Sequence, residues 1–471
     1  TDAESSDADA GTAQSLFQPT DSSTAWTEGH RRVFEYLCKS TEHRPDGVDG
    51  LAPLFQAIPH GCHAGLHRQA LSEVYTDRIL RGKGYNDFYS SKKLGTIGAD
   101  LGAVACFFEQ PWSRLSPNLT PADQAWLLND AGHYLRNLGR MTEAVEPQRA
   151  ALEMRIEQED WTSAAVVAGN LSELALTLGD MAFAIREGEQ IIDYTERSGE
   201  WGGHWMFRAS YADARHQVGE RDEAGQLFAD LETRHARERP SDPRLYSFPG
   251  FRYCDLLLSR AERVAWQATL SGTGFQPAGD DSHGQDDHVT DCDQVTERSN
   301  EALAIVERLH HLVSIGLDHL TLGRAALYRW LANPAGPQNS RAETLDAAGQ
   351  HLGAAVDGLR DAGASHHIPR GLLTRAWWRQ VTGDVPGAIE DLDEAWEIAE
   401  RGSMKLHQTD VLLTRARLGL LPNGLQNEHG AYPWGSPRED LDRADRLIQD
   451  CGYHRRDEEL ADAQAALACH E

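Results

Sequence analysis

Apolar residues along this chain recur at helical spacing, and the helical stretches come in pairs separated by glycine. Leu138-Gly139-Arg140, Leu178-Gly179-Asp180 and Val218-Gly219-Glu220 place three glycines 40 residues apart. Five residues after each glycine stands an alanine: Ala144, Ala184 and Ala224. The same pair recurs at Gly383 and Ala388, and seven residues before the glycines stand Gly132, Ser172, Ala212 and Ala376. A glycine just past a helix end adopts the left-handed conformation at little cost and lets the chain reverse. Small residues on both sides of that reversal allow the two helices to approach closely. The spacing predicts antiparallel helix hairpins of about 40 residues, repeated in tandem.

Around this repeat the pattern divides the chain. Residues 1–24 are rich in Asp, Ser, Thr and Ala and read as a disordered acidic leader. Residues 25–120 carry N-terminal helical repeats, with Val33, Phe34, Tyr36 and Leu37 on one face and Leu51, Leu54, Phe55, Leu66, Leu71 and Ile79 as core candidates. Residues 82–98 read as a loop before a Gly/Ala-rich helix at 94–108. Regular hairpins occupy 121–270. Residues 271–290 have few apolar groups and read as a disordered loop. Helix pairs resume over 291–471, with breaks near 333–337, Gly402 and 422–436 and a capping helix over about 454–468. No alternating strand pattern stands out.

Composition narrows the function. The chain has 471 residues and a formal charge of −28, which opposes binding to nucleic acid or anionic lipid. Seven scattered cysteines, never spaced CxxC, fit reduced thiols in a cytoplasmic protein. The longest nearly apolar stretch, Leu101 to Phe108, is far too short to span a membrane, and the polar N-terminus does not resemble a signal peptide.

Candidate chemistry is sparse. Gly82-Lys83-Gly84 and Ser90-Ser91-Lys92-Lys93 lack the GxxxxGK[ST] order of a phosphate loop, and no GxSxG is present. His60, Cys62, His63 and His67 hold metal-ligating groups, and a metal-dependent hydrolase centred on His60–His67 is one alternative. Pro59 and Gly61 interrupt the expected helix there, and no HExxH carboxylate accompanies the histidines. The doublets His310-His311 and His366-His367 read as surface or hairpin-end residues. No catalytic residue, metal or cofactor is assigned, and the chain is read as a binding protein and not as an enzyme.

In a stacked hairpin array the first helix of each pair lines the concave surface. Counting from the small positions places Asn129, His133 and Arg136, then Glu173 and Thr177, then Asp213, His216 and Gln217, and later Trp377 and Gln380, along a solvated groove. Polar residues with an occasional aromatic suit capture of a protein or peptide.

The glycine and alanine spacing resembles the tetratricopeptide (TPR) consensus, lengthened by about a turn per repeat. A closer resemblance rests on longer strings: Phe88-Tyr-Ser-Ser-Lys-Lys-Leu-Gly95, Gly98-Ala-Asp-Leu-Gly102, Gly169-Asn-Leu-Ser-Glu-Leu174, Gly250-Phe-Arg-Tyr-Cys-Asp-Leu-Leu257, Leu317 to Tyr328, Pro369 to Ala376, Asp391 to Glu400 and Tyr432-Pro-Trp-Gly-Ser-Pro437. Over about residues 26–468 these are similar to the C-terminal TPR arrays of bacterial STAND (NACHT-like) signal-transducing ATPases. The resemblance implies an all-α, right-handed superhelical solenoid acting as a sensor and autoregulatory region, with an ATPase as a partner upstream of Thr1. A stand-alone TPR adaptor without a switch is the other alternative.

Overall fold

The computed structural model describes residues 22–84, 87–199, 205–273, 285–334, 337–426 and 430–470. The fold is all-α. Helices α1 (Ser22–Ser40) and α2 (Gly47–His63) pack as a hairpin, and the short α3 (His67–Gln69) runs into a π-helical stretch, Ala70–Ile79. A second π-helical stretch, Tyr89–Lys93, precedes α4 (Ile97–Ala105). The regular pairs follow: α5 (Pro121–Asn137) with α6 (Met141–Glu157), α7 (Trp161–Leu178) with α8 (Met181–Ser198), and α9 (Trp205–Gln217) with α10 (Arg221–Glu238). Next come α11 (Ser247–Leu270) with α12 (Gln285–Leu309), α13 (Leu312–Ala332) with α14 (Gln338–Asp361), and α15 (Ile368–Thr382) with α16 (Val385–Arg401). Helices α17 (Lys405–Gly419), α18 (Pro437–Cys451) and α19 (Asp457–His470) complete the array. No helix among the described residues is long and apolar enough to cross a membrane.

The hairpin chemistry follows the sequence. Gly139, Gly179, Gly219 and Gly383 all have positive φ, between 77° and 90°. Ala144, Ala184, Ala224 and Ala388 are fully buried at the crossings they permit. Ser172 stands among the small residues without an unmet hydroxyl, because its Oγ donates to the Ala184 carbonyl at 2.9 Å. After two of these glycines an aspartate starts the next helix: Asp180 accepts from the Phe183 amide at 3.0 Å and Asp384 from the Gly387 amide at 3.1 Å.

Four expectations need correction. Helix α2 continues through Pro59 and Gly61 to His63. Gly61 is there because a Cβ would lie 2.9 Å from both Ala70 and Phe34, so the glycine admits a close neighbour. The helix expected to reach residue 108 ends at Ala105, and Phe108–Gln110 (β1) pairs antiparallel with Arg114–Leu115 (β2). Residues 285–290 belong to α12, with His288 buried, so the loop expected over 271–290 is shorter; residues 274–284 lie outside the described set. On α1, Phe34 is buried but Tyr36 and Val33 are exposed, so that face is narrower than the four apolar residues suggest. Of the expected leader, residues 1–21 lie outside the described set, and α1 has begun by residue 22.

The array curls until its two halves meet. The Ser365 amide donates to the Asn137 carbonyl at 2.8 Å. A Cβ on Gly179 would lie 2.6 Å from Cys451 Sγ and 2.9 Å from Lys405 Cβ. Gly219 packs on the backbone of His454, and α7 touches α17 while α11 touches α19. One apolar core consequently joins Leu127, Leu135 and Leu171 to Leu317, Leu352, Leu372 and Val411.

Candidate functional site

The first helices of the pairs face one another across a central lumen, and the charged residues among them pair across it. Arg136 on α5 donates to Glu173 on α7 at 2.7 Å. Arg252 on α11 also donates to Glu173, and Ser210 on α9 adds a hydrogen bond at 3.1 Å. Arg252 Nε lies 3.6 Å from Asp213 Oδ2, whose other oxygen accepts from Gln217 at 2.7 Å. Asp255 on α11 accepts from Arg324 on α13 at 2.6 Å and from Arg455 at 2.5 Å. Arg456 reaches Glu262 at 3.2 Å, Asp410 at 2.9 Å and Glu459 at 2.5 Å; Arg417 also donates to Glu459, at 2.6 Å.

The groove candidates read from the sequence do not line the open, solvated groove expected of them. Arg136, Asp213, His216, Gln217, Trp377 and Gln380 are buried, while Asn129, His133, Glu173 and Thr177 are half-buried. Asn129 accepts from Asn170 at 3.0 Å, Thr177 donates to the Glu173 carbonyl at 3.0 Å, and Gln380 donates to the Asn423 carbonyl at 2.5 Å. Trp377 stacks on Trp266 with ring centroids 3.6 Å apart. The physical reason is the tightness of the curl: inner helices from both halves meet, and their side chains become each other's partners. One pocket left inside, beside Trp266, Tyr328 and Trp377, holds about 50 Å³, room for a few waters and not for a peptide.

Burial sets the protonation of this interior. Burial alone would raise the Glu173 carboxyl, but Arg252 and Arg136 outweigh it and hold it at about 2. Burial pushes His133 down to about 3, helped by Arg136, and His407 to about 4, helped by Arg370. His216, His366 and His367 are pushed well below the usual imidazole range by burial first and then by neighbouring charge, from Arg455, from His367 and from Arg370 respectively. Both doublets stand at helix ends, with His311 and His367 capping α13 and α15, but His311 and His366 are buried there, while His310 is exposed at a turn with positive φ.

Metal chemistry has one candidate among the described residues. Asp213, His216 and Asp255 bring ligand atoms within 4.8 Å of one another. Arg324 and Arg455 already hold Asp255, and Arg252 faces Asp213, so an added cation would meet three guanidiniums. The donor set does not fit a metal. The histidines of the hydrolase alternative part company: His30 of α1 meets His60 at 2.8 Å and His63 by ring contact, while His67 lies in α3 beside Asn118.

Sequence reasoning missed Arg252, Asp255, Glu262, Arg324, Asp410 and the pair Arg455-Arg456. A signal was present in part: Asp255 and Arg324 sit inside apolar runs, Cys-Asp-Leu-Leu-Leu and Leu-Gly-Arg-Ala-Ala-Leu, where a lone charge needs a buried counter-charge.

No protein family and no curated protein matches the chain. Among solved structures it is similar to a Rap protein, solved in complex with competence and sporulation factor, at 10% identity and a TM-score of 0.39 over 74% of this chain and 96% of that one. The chain is a TPR-like array of helix pairs, as its own glycines and crossings establish.

Proposed function

We propose that the chain is a protein- or peptide-binding TPR-type scaffold that serves as the sensing and autoregulatory region of a bacterial STAND-type signalling protein, and that it rests in a closed state. The observation that carries this reading is the seam between the halves. Arg455 pairs with Asp255, 200 residues away, and reaches Gln217 at 3.3 Å; Arg263 pairs with Asp462 at 2.8 Å. The seam couples these ion pairs to the apolar core that the halves share, and a ligand that binds the opened lumen better than the closed one shifts the balance between the two states. Opening would expose Arg136, His133, Glu173, Thr177, Asn129, Asp213, His216, Gln217, Trp377 and Gln380 as a polar, aromatic-bearing groove for a peptide. The formal net charge of −28 favours a neutral or basic partner over nucleic acid or membrane.

The test is capture of partners from native cytosol by the parent and by an Arg455→Ala, Arg456→Ala variant, whose seam is broken. The reading expects the variant to capture more of the same proteins, with a larger radius of gyration by small-angle scattering. Identical capture in identity and amount rejects the gate, and capture of nucleic acid alone rejects the protein-binding scaffold.

A further inference from the structure

A cavity of about 570 Å³ opens where the turn after α9 meets α11, α12 and the segment before α19. Its walls carry Arg221, Arg260, Arg263 and Arg455 with His216, His288 and His454, in a chain whose net charge is −28. The three carboxylates on the same walls are already engaged. Asp457 accepts from His454 at 3.0 Å, Glu458 pairs with Arg263, and Glu459 lies between Arg456 and Arg417. Arg221 and Arg260 have no hydrogen bond or ion pair from their side chains among the described residues, and they repel each other. Burial, and then Arg260, pulls the Arg221 guanidinium down to about 10, a fall that Asp291 and Asp222 only partly offset. Buried nitrogens without partners also belong to these lining residues: His216 Nδ1, His288 Nδ1 and Arg455 Nε, with residue exposures of 2% for His216 and 6% for His288.

We propose that this cavity is a binding site for a small phosphate-bearing molecule, clasped between Arg221 and Arg260 from one half of the array and His454 from the other. Two guanidiniums and an imidazole call for at least three acceptor oxygens on one centre, which a phosphate offers and a carboxylate does not. Among the described residues the walls carry no Phe, Tyr or Trp, and their apolar side chains are Val218 and Val264. The described walls offer no platform on which a nucleobase could stack, so the occupant is compact: inorganic phosphate, pyrophosphate or a sugar phosphate. Its place gives it a consequence. Gly219 packs on the backbone of His454 at this seam, and Arg455, next in sequence, holds Asp255. A phosphate bridging Arg221 and His454 strengthens the closed state, which rests on the seam reading above and names its effector.

The experiment titrates the full chain with inorganic phosphate, pyrophosphate, glucose 6-phosphate, ATP and a phosphoserine peptide, by calorimetry and by thermal melting, with sodium chloride at matched ionic strength. Saturable binding of phosphate, pyrophosphate or the sugar phosphate, with a raised melting temperature that chloride does not reproduce, supports the site. Arg221→Ala with Arg260→Ala should weaken that binding about a hundredfold or more, since a charge-assisted hydrogen bond is lost at each, and should not lower the melting temperature of the free chain. Arg260→Glu, at an exposed position, should abolish binding with the fold intact. Absence of binding by all three small phosphates, or undiminished binding in both variants, overturns the proposal. ATP or the phosphopeptide binding more tightly than every compact phosphate overturns the assignment of ligand class. Binding is measured without any partner protein, so its failure leaves the scaffold reading standing, and unchanged partner capture leaves the phosphate site standing.

Discussion

Glu173 is the carboxylate on which the N-terminal side of the lumen turns, and replacing it by glutamine isolates its charge. It accepts from Arg136, Arg252 and Ser210, and the two arginines are 4% and 6% exposed. The variant leaves two buried guanidiniums with one carboxylate between them, Asp213, at 3.6 Å from Arg252. Removing one partner of a buried ion pair costs roughly 3–5 kcal/mol. The protonation of Glu173 gives a second measure. A carboxyl held at about 2 against an ordinary 4.5 corresponds to ~3 kcal/mol of preference for the charged form, and the side chain's 23% exposure trims this somewhat. Both routes place the loss for Glu173→Gln near ~3 kcal/mol. The pH dependence has a defined sign. The folded value lies below the unfolded one, so this contribution is complete above about 4.5 and disappears as pH falls towards 2. Urea denaturation followed by circular dichroism should give a constant gap between parent and variant from about pH 8 to 5, closing below 4.5. A gap under about 1 kcal/mol at neutral pH would show that the lumen is wet enough to screen these charges and that the ion-pair interior is misjudged.

Three further outcomes follow from the same geometry. Ala184→Leu and Ala224→Leu, each at a fully buried helix crossing, should each destabilise by about 1–3 kcal/mol through overpacking, read as a lowered urea midpoint; parental midpoints would refute the hairpin crossings. Each of His133 (about 3), His311 (about 4) and His407 (about 4) resists a proton that the unfolded chain takes up below about 6.5, so His407→Gln should lose less stability than the parent between pH 6.5 and 5; an unchanged difference across that range would contradict the burial of His407. Asp130 works in the opposite sense. Burial raises its carboxyl to about 8, so its contribution is complete below the unfolded value and lost as pH rises towards 8, and Asp130→Asn should gain on the parent across that range; an unchanged difference between pH 5 and 8 would refute the shift.

The parts of the fold that were legible in the sequence are those decided within one hairpin. Gly179 needs a left-handed turn and Ala184 a close crossing, and both requirements are met by residues a few positions apart, so the spacing of 40 announces them. The curl is set differently. It is the sum of small rotations over many helix pairs, and no residue states it. Its consequences reach back to single side chains: Asp213, His216 and Gln217, expected on a solvated face of α9, are buried because Arg252, Asp255 and Arg455 arrive from up to 238 residues away. Read one at a time, each charged residue looks solvated. Read as a set, the arginines and carboxylates of the inner helices are too many for an open groove in so small a lumen, and their pairing is what the curl requires. Gly61 makes the same point at short range. In sequence it reads as a break beside Pro59, whereas in the fold it stands where Phe34 and Ala70 approach too closely for a Cβ, and the helix continues through it. A breaker residue therefore marks either an end or a close approach, and only the neighbour decides which.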